Sequence, residues 1–217
     1  MEVLGRHKKE TGNVIQFNRI LDVVGLKTAT DGKPFSHGST FGILLDEYAS
    51  GVTITGNLIA RHDLGGVCIK GGRGNIIVNN IFVQGTTDQL RYQVKDEFSV
   101  GNRFIKNIVV FKDPKAGLFK NTERWRPQVL AESDNNLVWH IQGLPYFREA
   151  ELTPLGTWDN WQTAGMDRNS VIADPLFKAA AKDDYQLQPN SPALKLGFQP
   201  IPFEKIGLAG DPRAWKL

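Results

Sequence analysis

The stretch GILLDEYASGVTITGNLIARHDLGGVCIKGGRGNIIVNNIFV, residues 42–83, decides the fold of this protein. It holds two similar apolar segments, and aligning Gly42 with Gly66 sets the offset between them at 24 residues. The alignment makes three pairs: Ile43 with Val67, Leu45 with Ile69, and Asp46 with Lys70. Because side chains alternate along a strand, one face receives the apolar pairs and the opposite face receives Leu44, Asp46, Cys68 and Lys70. If LRYQVKD from Leu90 forms the next rung, Lys95 follows Lys70 on that outer face.

A second family of segments alternates with the first. Its members are GNVIQFNRI from Gly12, GVTITGNLI from Gly51, GNIIVNNIF from Gly74, GNRFIKNIV from Gly101 and a weaker DNNLVWHI from Asp134. The first four each contain an asparagine at one turn position, namely Asn18, Asn57, Asn80 and Asn107. An asparagine in every coil can stack into a hydrogen-bonded ladder, so these residues are assigned a structural role.

A repeat near 24 residues with several short strands is typical of a parallel β-helix, whose coils bury their inner faces by stacking. The sequence therefore predicts an all-β, right-handed parallel β-helix solenoid of about five or six coils over residues 1–141, with a loop inserted at about residues 26–40. Residues 142–217 are predicted to form an irregular tail with a short helix, capped by Thr157 or Asp159, that packs on the coils. The fixed offset argues against the alternative, an antiparallel sandwich.

Composition excludes several classes of protein. With 217 residues, 41% of them hydrophobic, and one cysteine, the chain is neither disordered nor a disulfide-stapled miniprotein. A formal charge of +3 is too small for a general nucleic-acid binder, and no apolar run approaches a membrane span or a signal-peptide core. A monomer without nucleic-acid or membrane partners, retained inside the cell, is therefore the expectation from composition.

The quoted stretch resembles the right-handed parallel β-helix proteins of the pectate-lyase-like superfamily. More narrowly, it is similar to the C-terminal part of large bacterial β-helix glycoside hydrolases and polysaccharide lyases, in which a strand ending in paired acids precedes an HGGR-like turn and an NNIF-like strand. The tail segments WQTAGMDRNSVIADPLF and DYQLQPNSPALKLGF fit the same resemblance. It implies a secreted or periplasmic bacterial protein acting on polysaccharide or oligosaccharide. This chain departs from the pattern at Lys70, which stands where the HGGR-like turn has its histidine.

Candidate site residues cluster around the first segment family. The candidate catalytic residues are Asp46, Glu47, Asp63 and Lys70, and the candidate substrate-binding residues are Arg61, His62, Arg73 and Lys95. A solvated ladder of ion pairs would explain the same residues without any chemistry. Asp46 and Glu47 are neighbours on a strand, so they can cooperate only if a bulge or the strand end turns Glu47 outward.

Three functions remain open from the sequence. In a glycoside hydrolase two carboxylates flank the scissile bond, with Asp46 as one and Glu47 or Asp63 as the other. In a polysaccharide lyase Lys70, Arg73 or Arg61 would remove a proton beside a uronate, with the carboxylates of Asp46, Glu47 and Asp63 holding calcium. The third is a non-catalytic glycan-binding or incomplete β-helix domain. No metal or other cofactor is expected unless the protein is a lyase, which could use calcium.

The start of the chain carries a further expectation. Coils are recognised from Gly12 onward without an evident cap, although a solenoid needs covered ends. The sequence therefore predicts either a truncated or late-started form of a longer enzyme, or a cap made by residues 1–11.

Overall fold

The computed structural model describes residues 1–36, 40–113, 116–121, 125–141 and 153–206. Three parallel sheets run the length of the coiled part of the chain, and each complete coil contributes one strand to each sheet. This architecture is the predicted parallel β-helix, with five coils and one further strand that the tail adds to one of the sheets.

Strands are numbered in chain order. Sheet 1 consists of β1 (Glu2–Leu4), β6 (Phe41–Asp46), β9 (Gly65–Lys70), β12 (Asp88–Gln93) and β15 (Gly117–Asn121). Sheet 2 consists of β2 (Val14–Gln16), β7 (Thr53–Thr55), β10 (Ile76–Val78), β13 (Asn102–Ile105) and β16 (Leu130–Asp134). Sheet 3 consists of β3 (Arg19–Leu21), β8 (Leu58–Ala60), β11 (Ile81–Val83), β14 (Ile108–Phe111), β17 (Leu137–His140) and β18 (Val171–Ile172).

The register of sheet 1 confirms the predicted alignment of the two apolar segments. Ile43 pairs with Val67 and Leu45 with Ile69 in parallel strands. All four of these side chains are almost completely buried in the core. Sheets 2 and 3 complete that core with their own inward stacks, one of which runs Ile15, Ile54, Ile77 and Phe104.

The prediction that Lys95 continues the rung after Lys70 is wrong. In sheet 1 Gln93 pairs with Lys70, and β12 ends there, so Lys95 lies in the turn beyond the strand. The predicted alignment of LRYQVKD was shifted by two residues. It set Lys95 opposite Lys70, whereas the pairing of Leu90 with Val67 places Gln93 there. Lys95 is exposed, with its Cγ close to the space beside Gly71.

The asparagine ladder runs between sheets 2 and 3. The Nδ2 group of Asn57 donates to Oδ1 of Asn80 at 2.9 Å, and that of Asn80 donates to Oδ1 of Asn107 at 3.1 Å. Asn18 begins the ladder and Asn136, which the sequence pattern did not single out, extends it to the fifth coil. Each Oδ1 also accepts the backbone N–H of the asparagine in the preceding coil. Two hydrogen bonds to one oxygen therefore join each pair of neighbouring coils.

A buried carboxylate closes the ladder at its C-terminal end. Asn136 donates through Nδ2 to Oδ1 of Asp167 at 2.8 Å, while Trp161 Nε1 donates to Oδ2 at 2.7 Å. Two hydroxyls, of Ser133 and Ser170, complete the contacts of this carboxylate. Burial raises the pKa of Asp167, and the four donors oppose that rise. The tail is thus fastened to the last coil through polar groups as well as through apolar packing.

The tail closes the end of the interior core with Trp158 and Trp161 of its first helix, and its later part covers the outer face of sheet 3. Helix α1 (Trp158–Thr163) begins at Thr157, whose side chain accepts the Asn160 N–H as the predicted cap. An antiparallel pair, β19 (Phe177–Ala179) and β20 (Asp184–Leu187), and helix α2 (Pro192–Lys195) follow. Tyr185, Ala193, Phe198 and Ile201 pack there with outward side chains of sheet 3 such as Ile81 and Ile108.

The first coil holds two features that the sequence analysis read differently. Residues 2–4 form β1, which pairs with β6, so the opening segment belongs to a coil and is not a separate cap. Between β3 and β6 lies a short antiparallel hairpin of β4 (Leu26–Thr28) and β5 (Pro34–Ser36), within the predicted insertion.

Replacing Asn80 with alanine should lower the free energy of unfolding by about 2 to 4 kcal/mol, because it leaves buried amide partners in the neighbouring coils without hydrogen bonds. Asn18→Ala is the matched control, since Asn18 ends the ladder and is only half-buried, and it should cost less than half as much. Chemical denaturation followed by circular dichroism measures both. Equal losses for the two variants would contradict a structural ladder.

Candidate functional site

Candidate site residues fall into two groups at opposite ends of the sheet 1 strands. The first group lies at the last residue of each of these strands and in the turn that follows it in coils 1 to 4, residues 4–10, 46–51, 70–74 and 93–99, which we call the sheet 1 rim. The second lies in the turns that lead from sheet 3 into sheet 1. A six-residue strand such as β9 separates them by about 17 Å.

Asp46 and Lys70 form the ion pair at the centre of the rim. Lys70 Nζ lies 2.9 Å from Oδ1 and 3.1 Å from Oδ2 of Asp46, one coil away as the alignment predicted. The Asp46 carboxylate also accepts the backbone N–H of Glu47 at 2.6 Å. Hydrogen bonding to Asp46 raises the pKa of Lys70, so the amine stays protonated at neutral pH.

Glu47 is turned outward by the end of its strand. β6 ends at Asp46, and Glu47 adopts a left-handed backbone with φ 46°, which breaks the alternation that would have pointed it inward. Its side chain is 42% exposed and pairs with Arg6 of the first coil. The two carboxylates of Asp46 and Glu47 therefore lie on the same rim, as the sequence analysis required for their cooperation.

The KGGR turn lets the rim pass close to the preceding coil. A Cβ on Gly72 would lie 2.0 Å from the Ala49 carbonyl oxygen, and Gly71 has a left-handed φ of 82°. Arg73 follows, with its guanidinium 4.5 Å from the centre of the Phe98 ring and 3.2 Å from Glu10. Arg73 thus joins Asp46, Glu47 and Lys70 at the rim.

Sequence reasoning missed an aromatic cluster at the same rim. Tyr48 and Phe98 meet edge to face at 6.0 Å, and Lys8 Nζ lies 4.0 Å above the Tyr48 ring. Lys8 also donates to Asp96 at 2.7 Å. A signal was present, because DEY at residues 46–48 and DEF at residues 96–98 repeat the order of two acids and one aromatic residue.

Asp63 lies at the opposite corner and is removed from Asp46 by the length of the strand. Its Oδ2 accepts the Gly25 N–H at 2.8 Å, and the residue is 8% exposed. The two catalytic carboxyl groups of a glycoside hydrolase are about 5 to 9.5 Å apart, and the strand length that separates Asp63 from Asp46 is greater than this. Asp63 instead fastens the segment that leads into the inserted hairpin.

Arg61 also serves the opposite corner. Its guanidinium pairs with Asp22 of the first coil, at 2.5 Å, and with Asp183 of the tail, at 2.6 Å. Hydrogen bonds to both carboxylates raise its pKa further. Arg61 therefore ties two coils to the tail and lies away from the rim.

His62, a candidate substrate-binding residue, is fully buried. Its ring occupies the space beside Gly85, where a Cβ would lie 2.1 Å from His62 Cε1, and the Gln89 side chain reaches the same space. Burial lowers the pKa of His62 to about 4, so the ring is neutral at neutral pH. His62 cannot contact a ligand at the rim.

A buried ion pair lies within strand β12 of sheet 1. Arg91 Nε lies 2.7 Å from Asp88 Oδ2, and the side chains are only 12% and 2% exposed. Burial raises the pKa of Asp88. It likewise raises the pKa of Cys68, which pairs with Arg91 in register, to about 12, so the thiol stays protonated.

Clusters suited to metal binding are missing from the described ranges. No group of three or more His, Cys, Asp or Glu side chains with the necessary proximity occurs there. The same part of the chain contains no helix long and apolar enough to cross a membrane.

Comparison with known proteins gives one similarity. The chain is 27% identical over 165 residues to the uncharacterized protein YwoF of Bacillus subtilis, and the match covers 68% of this chain and 33% of that protein. The chain therefore spans about a third of the length of the curated relative it matches. No protein-family model and no solved structure matches this chain.

Asp46→Asn should lower the pKa of Lys70 toward its ordinary value, because the amide carries no charge to stabilise the ammonium. At pH 9 the acylation rate of Lys70, followed by mass spectrometry, is then expected to rise severalfold. Lys33, which pairs with Asp31 outside the rim, is the internal reference and should not change. An unchanged acylation rate of Lys70 would show that Asp46 does not raise the pKa of Lys70.

His62 should make stability fall in mild acid. Its pKa is about 4 in the folded state and 6.5 in the unfolded state, so the unfolded chain binds the extra proton between these values. The free energy of unfolding contributed by His62 is fully present above pH 6.5 and decreases by about 3 kcal/mol as the pH falls to 4.

Denaturation curves of the wild type, His62→Gln and His7→Gln across this range measure the effect, His7 being an exposed control. His62→Gln should flatten the dependence and His7→Gln should leave it intact. Parallel curves for all three proteins would contradict the burial argument.

Proposed function

We propose that this chain is a carbohydrate-active β-helix protein of the pectate-lyase-like superfamily that hydrolyses a polysaccharide at the sheet 1 rim. The observation that carries the proposal is the outward turn of Glu47 at the end of β6, which puts two carboxylates on one exposed rim. Hydrolysis of a glycosidic bond needs such a pair, one carboxyl to donate a proton and one carboxylate to act as base or nucleophile.

The surroundings of the two carboxylates favour different roles. Asp46 is 14% exposed and accepts hydrogen bonds from the Lys70 ammonium and the Glu47 N–H, which fix the orientation of its carboxylate. Asp46 is therefore the base or nucleophile in the proposal. Glu47 is more exposed, and its partner Arg6 is itself 71% exposed, so ligand binding can separate that pair. Glu47 is then the proton donor.

Tyr48 and Phe98 support a sugar-binding rim. Both rings are half-buried beside the carboxylate pair, and aromatic rings offer apolar faces against which the C–H groups of a sugar can pack. Arg73, whose guanidinium lies over Phe98, and the half-buried Lys70 add hydrogen-bond donors for hydroxyl groups. In this proposal these four residues bind the polysaccharide and the two carboxylates cleave it.

Elimination by a lyase is a weaker reading of the same rim. A lysine base must be neutral to accept the substrate proton, but the hydrogen bond from Lys70 to Asp46 raises its pKa. A calcium ion prefers six to eight oxygen ligands, and the described residues bring no three carboxylates together. Lyase activity and binding without cleavage are outcomes that the assay separates.

The test is an assay of purified protein on pectic, xylan and alginate-type polymers, with and without calcium. We expect new reducing ends without an ultraviolet-absorbing unsaturated product. Asp46→Asn and Glu47→Gln should each lower kcat by about a hundredfold or more, because they remove a group acting in the transition state. Glu132→Gln is the matched control, since Glu132 pairs with Arg103 on sheet 2 and is also 42% exposed.

Three results would overturn the hydrolase assignment. An unsaturated product would identify a lyase, and retention of a polymer without cleavage would identify a binding domain. Equal losses of activity in Glu132→Gln and Glu47→Gln would show that the rim carboxylates hold no special role. Thermal unfolding of each variant separates loss of activity from loss of fold.

A further inference from the structure

The ammonium group of Lys8 sits in a small cage at the sheet 1 rim. Lys8 Nζ lies 4.0 Å from the centre of the Tyr48 ring and 5.3 Å from that of Phe98. Asp96 Oδ2 accepts a hydrogen bond from it at 2.7 Å. Two aromatic faces and a carboxylate are the surroundings that proteins use to recognise ligand ammonium groups.

The cage exists because the third coil has no side chain where the cage forms. Lys8 belongs to the first coil, Tyr48 to the second and Asp96 and Phe98 to the fourth, so the group spans the turn of the third coil. That turn carries Gly71, and a Cβ there would lie 2.9 Å from Tyr48 Cδ1. The glycine allows the Tyr48 ring to lean across the third coil and meet Phe98.

Lys8 is a replaceable occupant of this cage. Its side chain is 41% exposed, and it reaches the cage from the turn of the first coil through a left-handed backbone with φ 53°. The carboxylate and rings that receive it follow the six-residue strands β6 and β12, whereas Lys8 follows the three-residue strand β1. When Lys8 swings out, the cage keeps Asp96, so it presents an anionic and aromatic surface that is complementary to a cation.

We propose that the cage of Tyr48, Phe98 and Asp96 is a subsite for an ammonium group of the ligand, and that the polysaccharide bound at the rim carries free amino groups. The proposal names the substrate class of the function proposed above and rests on it. In the free protein Lys8 fills the subsite and neutralises Asp96. In the complex the ammonium of an amino sugar replaces it, so the charge of Asp96 stays compensated.

Selectivity follows from the chemistry of the cage. An N-acetylated sugar has no charge at this position, so it would displace Lys8 and leave Asp96 without a cationic partner. A free amino sugar repeats both the hydrogen bond to Asp96 and the contact with the two rings. The cage therefore favours the free amine over the acetamide.

The test compares the tetramers of glucosamine and N-acetylglucosamine by isothermal titration calorimetry at pH 6. Lys8→Ala empties the cage, so it should bind the glucosamine tetramer about tenfold more tightly than the wild type does. Lys9→Ala is the matched control, because Lys9 is exposed on the same turn and its loss changes the net charge equally. Adding Tyr48→Ala to Lys8→Ala should remove the gain.

A second readout uses the wild-type protein. Saturation with the glucosamine tetramer should release Lys8 and increase its acylation rate severalfold, whereas the N-acetylated tetramer should not. Equal affinity of Lys8→Ala and Lys9→Ala for the glucosamine tetramer, or no preference for it over the N-acetylated form, would overturn the subsite.

Failure of the subsite differs from failure of the proposed hydrolase. Cleavage of neutral or acidic polymers alone, with no preference for the glucosamine tetramer, would overturn the subsite and leave hydrolysis in place. Tight binding of that tetramer to Lys8→Ala, without cleavage of the polymers named above or of deacetylated chitin, would support the subsite and overturn hydrolysis.

Discussion

The rest of the structure depends on the lateral hydrogen bonding of buried asparagine amides from one coil to the next. Each short strand of sheets 2 and 3 has three or four residues in most coils and could not hold a register alone. The amide of Asn80 links coils on both sides, and an unpaired amide in the core would be costly. The ladder therefore fixes the register of the coils, and the apolar stacks pack accordingly.

A fixed register is what lets distant residues meet at the sheet 1 rim. Lys8 and Asp96 are 88 positions apart along the chain, yet their turns lie on the same side of the solenoid. Lys70 reaches Asp46 because the two strands are aligned without a shift at their ends. The rim is thus a product of stacking, and each coil supplies only two or three of its side chains.

Burial then separates residues that look alike in the sequence. His62 and Asp63 lie close to the end of a strand, as Asp46 and Glu47 do, but their corner is closed by the inserted segment and by the packing beside Gly85. Desolvation keeps His62 neutral, and the Gly25 N–H occupies the Asp63 carboxylate. Asp46 and Glu47 keep exposed partners instead, which leaves them open to a ligand.

The sequence by itself determined the parallel coils, the alignment of Asp46 with Lys70 and the asparagine ladder, because a periodic fold repeats its requirements in every coil. It also showed that Asp46 and Glu47 can share a face only if a bulge or the strand end turns Glu47 outward. Only the tertiary structure decided that Glu47 meets that condition, that Lys95 falls beyond its strand, and that Asp63 and His62 lie a strand length away from the rim. Turn conformations and burial depend on neighbouring coils and on the tail, and neither leaves a period in the sequence.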